Sequence, residues 1–460
     1  MSYGLVVIGG GAAGLSAART ATARGVRALM VSEGPPGGEC TFTGCVPSKA
    51  LIEAAAHGAD FSAAMGRVRS AVSRIAATED ESVLAGEGIE VLRERASFLA
   101  PNRIEVGGRV LSAPRVVVAT GGGPRLPDIP GLAEAGPLTT DDVFTLTEPP
   151  ESLAVLGAGP VGCELAQALA RLGVAVTVVE RRDRLLPGED AEASRVIAER
   201  FAREGVTVRT GVSATGVSRE AGRWRVEVGD GAPVVAERIL VAAGRTPGTQ
   251  GMGLAEAGVE LDERGCVRTS DRLATTSPSA VYAAGDVTGR IALTHAAHLM
   301  GRVAAANALR RGRGTRFDDA VIPRVAFTDP EVAQVGLTEH EAAQRHPGSR
   351  VAYLPMSEVD RAVAAGRTDG FVRIVAGPRP FLGHTGGGRV LGATIVGERA
   401  GELVHEIALA MRTGMFAGRL AQTVHAYPTH AIAVQQAAAQ FVMEYAGRRA
   451  RSARHGDHPS

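Results

Sequence analysis

Short runs of apolar residues are separated by longer Ala-rich stretches, the pattern of buried parallel strands connected by helices. Residues 5–8 (LVVI) form the first run and predict a strand. The turn after it contains Gly9, Gly11 and Gly14, and an Ala-rich helix is predicted from there to about Arg24. Glycines permit a tight turn, and free N–H groups at the helix N-terminus attract a pyrophosphate. The segment therefore predicts a dinucleotide-binding unit.

The same strand, glycine turn and helix recur further along the chain. Residues 153–156 (LAVL) lead into Gly157, Gly159 and Gly162, followed by a helix and the apolar run 174–179. One such motif is weak evidence, but two in the same structural context indicate two dinucleotide-binding units.

Each unit needs a group that binds ribose hydroxyls about 20 residues after its first glycine. Glu180 lies 23 residues after the first glycine of the second turn and favours NADH. Arg181 and Arg182 follow it and leave NADPH open, because guanidinium groups can hold a 2′-phosphate. The same spacing in the first unit reaches Ser32, with Glu33 next to it. The ribose ligand there must be either the Ser32 hydroxyl or, one residue later, the Glu33 carboxylate.

Three further strands end in glycine or in an acid, at the sheet edge where open α/β proteins bind ligands. The first two close the two nucleotide units, and the third offers a carboxylate to a cofactor's polyol. In order, they end at Thr120-Gly121, Gly244-Arg245 and Gly285-Asp286.

Composition narrows the range of partners. Lys and Arg (50) nearly balance Asp and Glu (49), which leaves a net charge of +1 and no general attraction for nucleic acid or an anionic membrane. Neither a basic leader nor an apolar run of about 18 residues is visible. We therefore expect a cytoplasmic protein with no nucleic-acid or membrane partner.

Two of the four cysteines lie close together. Cys40 and Cys45 belong to the segment 37–49 (GGECTFTGCVPSK), which also contains Gly38 and Lys49, the one lysine among 50 basic residues. A close pair in an intracellular protein is more often redox-active or metal-binding than structural. Zinc is disfavoured because no further ligands lie nearby in the sequence, so we expect no metal site.

Together these motifs resemble the flavin-dependent pyridine nucleotide–disulfide oxidoreductases, the family of lipoamide dehydrogenase, glutathione reductase and mercuric reductase. The resemblance continues through residues 327–331 (FTDPE) and 391–403, and covers residues 3 to about 445. It implies FAD in the first unit, NADH or NADPH in the second, and a homodimer. The implied fold class is α/β, with two Rossmann-like dinucleotide-binding domains plus an α+β C-terminal dimerisation domain.

The resemblance also implies roles in the redox segment. Cys45 would be the thiolate nearest the flavin, just before a helix that opens at Pro47 and lowers its pKa. Cys40 would lie in a loop as the sulfur that attacks the acceptor. Lys49 would lie near the flavin with Glu164 as its partner.

One departure concerns the C-terminal segment. In this family a His-Pro-Thr segment and a following acid supply a base for dithiol chemistry. Residues 425–432 read HAYPTHAI, so by position Tyr427 replaces the base and Ile432 replaces the acid. A tyrosine, with a pKa of about 10, is a poor proton shuttle at neutral pH. His425 and His430 flank the gap and are alternative bases.

The motifs also predict domain boundaries. We place an FAD-binding domain at residues 1–148 and 271–318, an NAD(P)-binding domain at 149–270 and a dimerisation domain at 319–446. The polar, Arg-rich residues 447–460 are expected to form a disordered tail.

Three functions remain open. The favoured one is an FAD-containing, NAD(P)H-dependent oxidoreductase that passes electrons through a Cys40–Cys45 disulfide to a small-molecule acceptor that needs no strong base, such as a quinone, a metal ion or a reactive small molecule. The first alternative is reduction of a low-molecular-weight or lipoyl disulfide with a relocated histidine base. The second is a non-catalytic nucleotide-binding redox sensor.

Overall fold

A computed structural model describes residues 3–229, 231–310 and 312–454, and its strands and helices are numbered in chain order. The helices in these residues are α1 (Ala12–Thr22), α2 (Gly38–Phe42), α3 (Cys45–Ala56), α4 (Phe61–Ala76), α5 (Glu81–Gly86), α6 (Thr140–Val143), α7 (Pro160–Arg171), α8 (Ala191–Arg203), α9 (Thr294–Ala308), α10 (Glu339–Arg345), α11 (Asp360–Ala364), α12 (Ala400–Arg412), α13 (Ala417–Gln422) and α14 (Ile432–Ala439). Short 3₁₀ turns lie at Asp286–Thr288, Met356–Glu358 and Thr385–Gly387.

The strands are mostly short. They are β1 (Leu5–Ile8), β2 (Ala28–Val31), β3 (Ile89–Leu92), β4 (Ala96–Ala100), β5 (Arg103–Val106), β6 (Arg109–Ser112), β7 (Arg115–Val118), β8 (Gly122–Pro124), β9 (Ser152–Leu156), β10 (Ala175–Val179), β11 (Thr207–Arg209), β12 (Ala214–Glu220), β13 (Arg223–Val228), β14 (Val234–Ala236), β15 (Arg238–Val241), β16 (Arg245–Pro247), β17 (Ala280–Ala283), β18 (Arg324–Ala326), β19 (Glu331–Gly336), β20 (Arg350–Pro355), β21 (Phe371–Gly377), β22 (Arg389–Gly397) and β23 (Arg451–Ser452).

The chain divides into two units. The first comprises residues up to Pro127, Leu138–Glu148 and Ala243–Asp319. Its main sheet is parallel, in the order β17-β7-β1-β2-β3. All four residues of β1 are buried because both faces of a parallel sheet are covered, which explains the uninterrupted apolar run.

Helices α1 and α9 of the first unit pack very closely. A Cβ on Gly301 of α9 would lie 2.0 Å from the carbonyl oxygen of Ala13 on α1, so only glycine fits there. This contact fixes α9 against the glycine turn that precedes α1. Smaller antiparallel sheets, β4-β5-β6 and β16-β8, complete the unit.

The second unit comprises Asp128–Pro137, Pro149–Ala242 and the residues from Ala320 onward. A parallel sheet, β11-β10-β9-β15, carries the second glycine turn, and β12-β13-β14 forms a small antiparallel sheet. A six-stranded sheet, β18-β19-β22-β21-β20-β23, is antiparallel along its length. Its core includes the buried aliphatic residues of β19, β21 and β22 together with α12 and α14.

Two networks of charged groups join the parallel and antiparallel parts of the second unit. Arg373 on β21 is buried and pairs with Asp190 (2.6 Å) and with Glu192 at the start of α8. Asp329, just before β19, pairs with Arg171 of α7 at 2.8 Å. These pairs hold the two parts of the unit together.

The fold class agrees with the expected α/β architecture. The division into three domains is finer than the two observed units and stays a prediction. Residues 243–270, assigned from sequence to the NAD(P)-binding domain, lie in the first unit. No helix in the described parts of the chain has the length and apolarity needed to cross a membrane.

The expected disordered tail is wrong for residues 447–454. Arg451–Ser452 pairs with β20 as an edge strand. Arg448 pairs with Glu358 and Arg451 with Glu339, so carboxylates neutralise the arginines that suggested disorder. The remainder of the predicted tail, residues 455–460, lies outside the described residues.

Candidate active site

The first glycine turn leaves room only for glycine at two of its positions. Gly9 has a φ of 112°, and a Cβ there would lie 2.2 Å from the carbonyl oxygen of Ala119. A Cβ on Gly14 would lie 1.9 Å from the carbonyl oxygen of Gly9. Gly11 precedes α1 and has no neighbouring atom within 4 Å of its Cβ position, so the turn is open on that side. The open side and the helix N-terminus fit the pyrophosphate of FAD.

Polar groups at the ends of the neighbouring strands support this fit. Thr120, after β7, has a buried hydroxyl with no hydrogen-bond partner among the described residues. Ser32 follows β2, and its Oγ would lie 2.8 Å from a Cβ on Gly10, so it reaches the turn. Glu33 instead lies 3.8 Å from Arg95 with an exposed side chain. Of the two predicted ribose ligands, the structure places Ser32 at the turn.

Asp286 and Arg245 form an ion pair that the sequence did not predict. The Arg245 Nε lies 3.0 Å from the Asp286 Oδ2, and Arg245 also pairs with Glu39. Burial raises the pKa of both Asp286 and Glu39, and Arg245 opposes this effect. Gly244 and Arg245 thus lie in the first unit, beside the predicted FAD ligand Asp286. Gly121, which has a φ of 66°, lies near them in the turn before β8.

Glu39 was missed because its partner is 206 residues away and no motif spacing connects them. In the sequence, only the position of Glu39 directly before Cys40 indicated that it could belong to the site.

The two cysteines lie at adjacent helices. Cys40 belongs to α2, not to a loop, and Cys45 is the first residue of α3, two residues earlier than expected. Both are free thiols and half-buried. Gly38 makes the approach of this segment possible, because a Cβ there would lie 2.8 Å from the Cα of Gly11. The redox segment therefore packs on the first glycine turn.

The surroundings of the pair separate the two thiols. A hydrogen bond to Cys45, followed by burial, raises the pKa of Cys40 well above its usual range, and a hydrogen bond to Thr294 partly opposes this effect. The Cys45 sulfur lies 3.1 Å from the Thr294 hydroxyl and at the N-terminus of α3, which favours a thiolate. The roles assigned to the two sulfurs stay a prediction.

Lys49 lies on α3, four residues after Cys45. Glu164 belongs to α7 of the second unit, where its Oε1 accepts a hydrogen bond from the Phe327 backbone N–H at 2.8 Å. Pairing between Lys49 and Glu164 stays a prediction.

The second glycine turn repeats the first. A Cβ on Gly162 would lie 2.0 Å from the carbonyl oxygen of Gly157, while Gly159 has open space around it. The buried carboxylate of Glu180 accepts hydrogen bonds from the backbone N–H groups of Ala158 (2.7 Å) and Arg182 (2.9 Å). Glu180 is thus fixed as an acceptor at the turn, with exposed Arg181 beside it, which fits the ribose of a nicotinamide nucleotide.

Tyr427 is exposed, and its hydroxyl donates a hydrogen bond to Asp360 at 2.7 Å. This bond and the charge of Asp360 raise the pKa of Tyr427 further. Ile432, in the place of the orienting acid, begins α14. Tyrosine in this setting holds its proton more firmly than a free tyrosine does.

The two histidines near Tyr427 differ. The Nε2 of His425 lies 3.0 Å from Glu406, and its Nδ1 lies 2.9 Å from the carbonyl oxygen of Thr423. Burial opposes protonation of His425, but the bond to Glu406 outweighs it and raises the pKa. His430 lies 3.5 Å from Glu398 with neither ring nitrogen in a hydrogen bond within the described chain, and burial lowers its pKa. Both histidines thus have a carboxylate nearby, but within the described chain that of His425 is hydrogen-bonded to the ring and that of His430 is not.

Comparison with known proteins identifies the family. Residues 3–301 match the pyridine nucleotide-disulphide oxidoreductase family, and residues 322–438 match its dimerisation domain. The chain belongs to this family. The dihydrolipoyl dehydrogenase of Thermus scotoductus is 35% identical over 95% of this chain and 97% of its own length. A mercuric reductase of Bacillus cereus is 32% identical over 95% of this chain and 71% of its own length.

Solved structures agree with this assignment. The HOCl-induced flavoprotein disulfide reductase RclA from Escherichia coli matches with a TM-score of 0.87 and 26% identity, over 95% of this chain and 99% of that one. LpdA from Mycobacterium tuberculosis matches with a TM-score of 0.86 and 30% identity, over 95% of this chain and 100% of that one.

These relatives make the chain an oxidoreductase of a family that uses FAD and NAD(P)H. The match to the dimerisation domain supports a homodimer. The assignment of individual site residues and the identity of the acceptor go beyond what the family determines.

Proposed function

We propose that the protein passes electrons from NAD(P)H through FAD and the Cys40–Cys45 pair to an acceptor that needs no strong base, such as a quinone, a metal ion or a reactive small molecule. The observation that carries the proposal is Tyr427, whose proton is held by Asp360 at the position where disulfide reductases have a base. General-base help is worth about 10²–10⁴ in rate, so its loss disfavours acceptors that depend on it.

The residues of the first unit would divide the work. Bound FAD supplies hydride acceptance and electron transfer to the sulfurs. The open glycine turn, the Thr120 hydroxyl and Asp286 would hold it. Cys45 would keep a negative charge, and Cys40 would keep a proton because its pKa is raised. The thiolate is both the nucleophile and the metal ligand, so Cys40 would have to lose this proton before it attacks a disulfide or binds a metal ion.

The names of some relatives support a metal ion as the acceptor. RclA is described as HOCl-induced and has been solved as a Cu(II) complex, and other relatives are mercuric reductases. The dihydrolipoyl dehydrogenases among the relatives support the alternative, reduction of a small disulfide. We further propose NADH as the preferred donor, because Glu180 would repel a 2′-phosphate, and a homodimer in the cytoplasm as the working form.

A panel of acceptors tests the proposal. The purified, FAD-loaded protein is given NADH with a quinone, with Cu(II), with lipoamide or with glutathione disulfide, and NADH oxidation is followed. We expect turnover with a quinone or the metal ion to exceed that with either disulfide by at least about a hundredfold. Efficient turnover of a disulfide would overturn the proposal.

One observation favours a second candidate, reduction of a small disulfide. His425 has an acid partner in Glu406, which is the arrangement of a base with fixed orientation and tautomer. If this pair replaces the missing base, His425→Gln must abolish disulfide reduction and leave quinone reduction unchanged.

A further inference from the structure

The hydroxyl of Thr294 contacts both sulfurs of the redox segment, although no motif in the sequence indicated it. Its Oγ1 lies 3.1 Å from the Cys45 Sγ, and it also hydrogen-bonds to Cys40. Thr294 is the first residue of α9, and α9 is fixed by the close contact between Gly301 and Ala13. The position of the hydroxyl is therefore determined by the packing of the fold.

Two helix N-termini meet at the Cys45 sulfur. Cys45 begins the 12-residue helix α3, and Thr294 begins the 15-residue helix α9. Each N-terminus carries a partial positive charge and N–H groups without partners inside the helix. A hydroxyl donor at the junction adds a directed hydrogen bond, and bonds to charged groups are the stronger ones.

We propose that Thr294 is a catalytic hydrogen-bond donor that keeps the negative charge of the reduced pair on Cys45. The inference rests on the proposed function only in taking the Cys40–Cys45 pair as redox-active.

The proton balance explains why such a donor matters here. A hydride equivalent from NADH carries two electrons and one proton. These break the sulfur–sulfur bond and leave one thiol and one thiolate. With the proton on Cys40 and the charge on Cys45, no second proton is needed. Stabilising this state suits a chain in which Tyr427 replaces the usual base.

Other charged groups near the pair influence the titration of the two cysteines equally in wild type and in the variants at residue 294. Glu79 faces Cys40, raises its pKa and accepts a hydrogen bond from Thr41 at 3.0 Å. Glu39 is paired with Arg245, and Lys49 lies one turn along α3. Because these groups stay in place, a difference between variants at residue 294 isolates the hydroxyl.

The test measures the titration of each sulfur separately. Cys40→Ser leaves Cys45 as the redox-segment thiol, and Cys45→Ser leaves Cys40. Each FAD-loaded variant is reacted anaerobically with iodoacetamide across a pH series, and the modified peptide is quantified by mass spectrometry. Because neither NADH nor an acceptor is present, failure of the proposed acceptor class cannot produce or hide the result.

We expect Thr294→Val to raise the pH midpoint of Cys45 alkylation by about one unit, which lowers its rate at neutral pH about tenfold. Thr294→Ser should keep the wild-type midpoint, since it retains the hydroxyl. In the Cys45→Ser background, Thr294→Val should also raise the Cys40 midpoint, because the bond to Thr294 lowers the pKa of Cys40, but by less than it raises the Cys45 midpoint. Thr41→Val, which removes a neighbouring hydroxyl that bonds Glu79, serves as the matched control and should leave Cys45 unchanged.

An unchanged Cys45 midpoint in Thr294→Val, or an equal shift of both cysteines, would overturn the proposal. If Thr294→Val does not fold, Thr294→Ala is used with the same expectations. A midpoint in Thr294→Ser as high as in the valine variant, or in the alanine variant where that replaces it, would also overturn the proposal, because the effect would then come from packing and not from the hydroxyl.

Discussion

The redox segment of this chain matches the motif of its family more closely than the C-terminal segment does. Residues 37–49 retain both cysteines and the lysine, and the fold packs them on the first glycine turn. In residues 425–432, Tyr427 and Ile432 stand at the positions predicted for a base and its acid, and the Tyr427 hydroxyl donates to Asp360. The comparison predicts that substitutions in the two segments alter different steps, reduction of the cysteine pair in one and transfer to the acceptor in the other.

The largest effect is expected in the redox segment. Cys45→Ser should lower NADH-dependent turnover at least about a thousandfold, because it removes the sulfur that would hold the charge. It should also abolish the long-wavelength absorbance that a thiolate beside a flavin produces on two-electron reduction. Cys40→Ser should show that absorbance in the resting protein. Identical spectra of the two variants would remove the distinction between the sulfurs.

A second experiment introduces a histidine base and its acid into the C-terminal segment, at the positions predicted for them. Tyr427→His together with Ile432→Glu should raise disulfide or dithiol turnover about a hundredfold and leave quinone or metal-ion turnover nearly unchanged. Both changes are needed, because a histidine without an acid lacks the correct tautomer and orientation. Tyr427→His alone is the control. No gain from the double variant would mean that the acceptor pocket, and not the base, excludes disulfides.

A third prediction sharpens the comparison of the two nucleotide sites. Glu180→Gln should shift the ratio of kcat/KM for NADPH over NADH upward by about tenfold, since it removes a negative charge near the 2′ position. The amide can still accept one of the two backbone hydrogen bonds that hold Glu180 in place. Arg181→Ala is the paired control and should lower NADPH use. A ratio that stays the same in Glu180→Gln would show that the carboxylate does not choose the nucleotide.

Local sequence patterns predicted most of the fold but little of the long-range pairing. The glycine turns and their flanking strands and helices follow from apolar runs and spacing, and the family follows from the resemblance of the motifs. The Arg245 ion pairs with Glu39 and Asp286 do not, because they join residues far apart in the chain.

The C-terminal strand and the partner of His425 escaped prediction for related reasons. Composition suggests disorder at residues 447–454, whereas the edge of β20 and the carboxylates of Glu339 and Glu358 order them. Glu406 lies on α12, 19 residues before His425, and no periodicity connects the two. Such pairings depend on tertiary structure.

The smallest effect is expected at His425, and it tests whether the C-terminal segment still contains a working base. If the proposed function is correct, His425→Ala changes quinone or metal-ion turnover less than about tenfold, and its main effect is on stability.

The pKa of His425 is raised in the folded protein, so its bond to Glu406 stabilises the fold when the ring is protonated. This contribution is complete below the pKa of an unfolded histidine and is lost as the pH rises through the folded value. Solvent screens the pair, so the free energy involved is modest, at most about 1 kcal/mol. We therefore expect urea unfolding at low pH to show a lower midpoint for His425→Ala than for wild type, and the two midpoints to converge at alkaline pH. His430→Ala is a control of opposite sign: burial lowers the pKa of His430, so wild type should lose stability relative to this variant as the pH falls. A large loss of disulfide turnover in His425→Ala, with quinone turnover and the unfolding midpoint unchanged, would instead identify His425 and Glu406 as the relocated base.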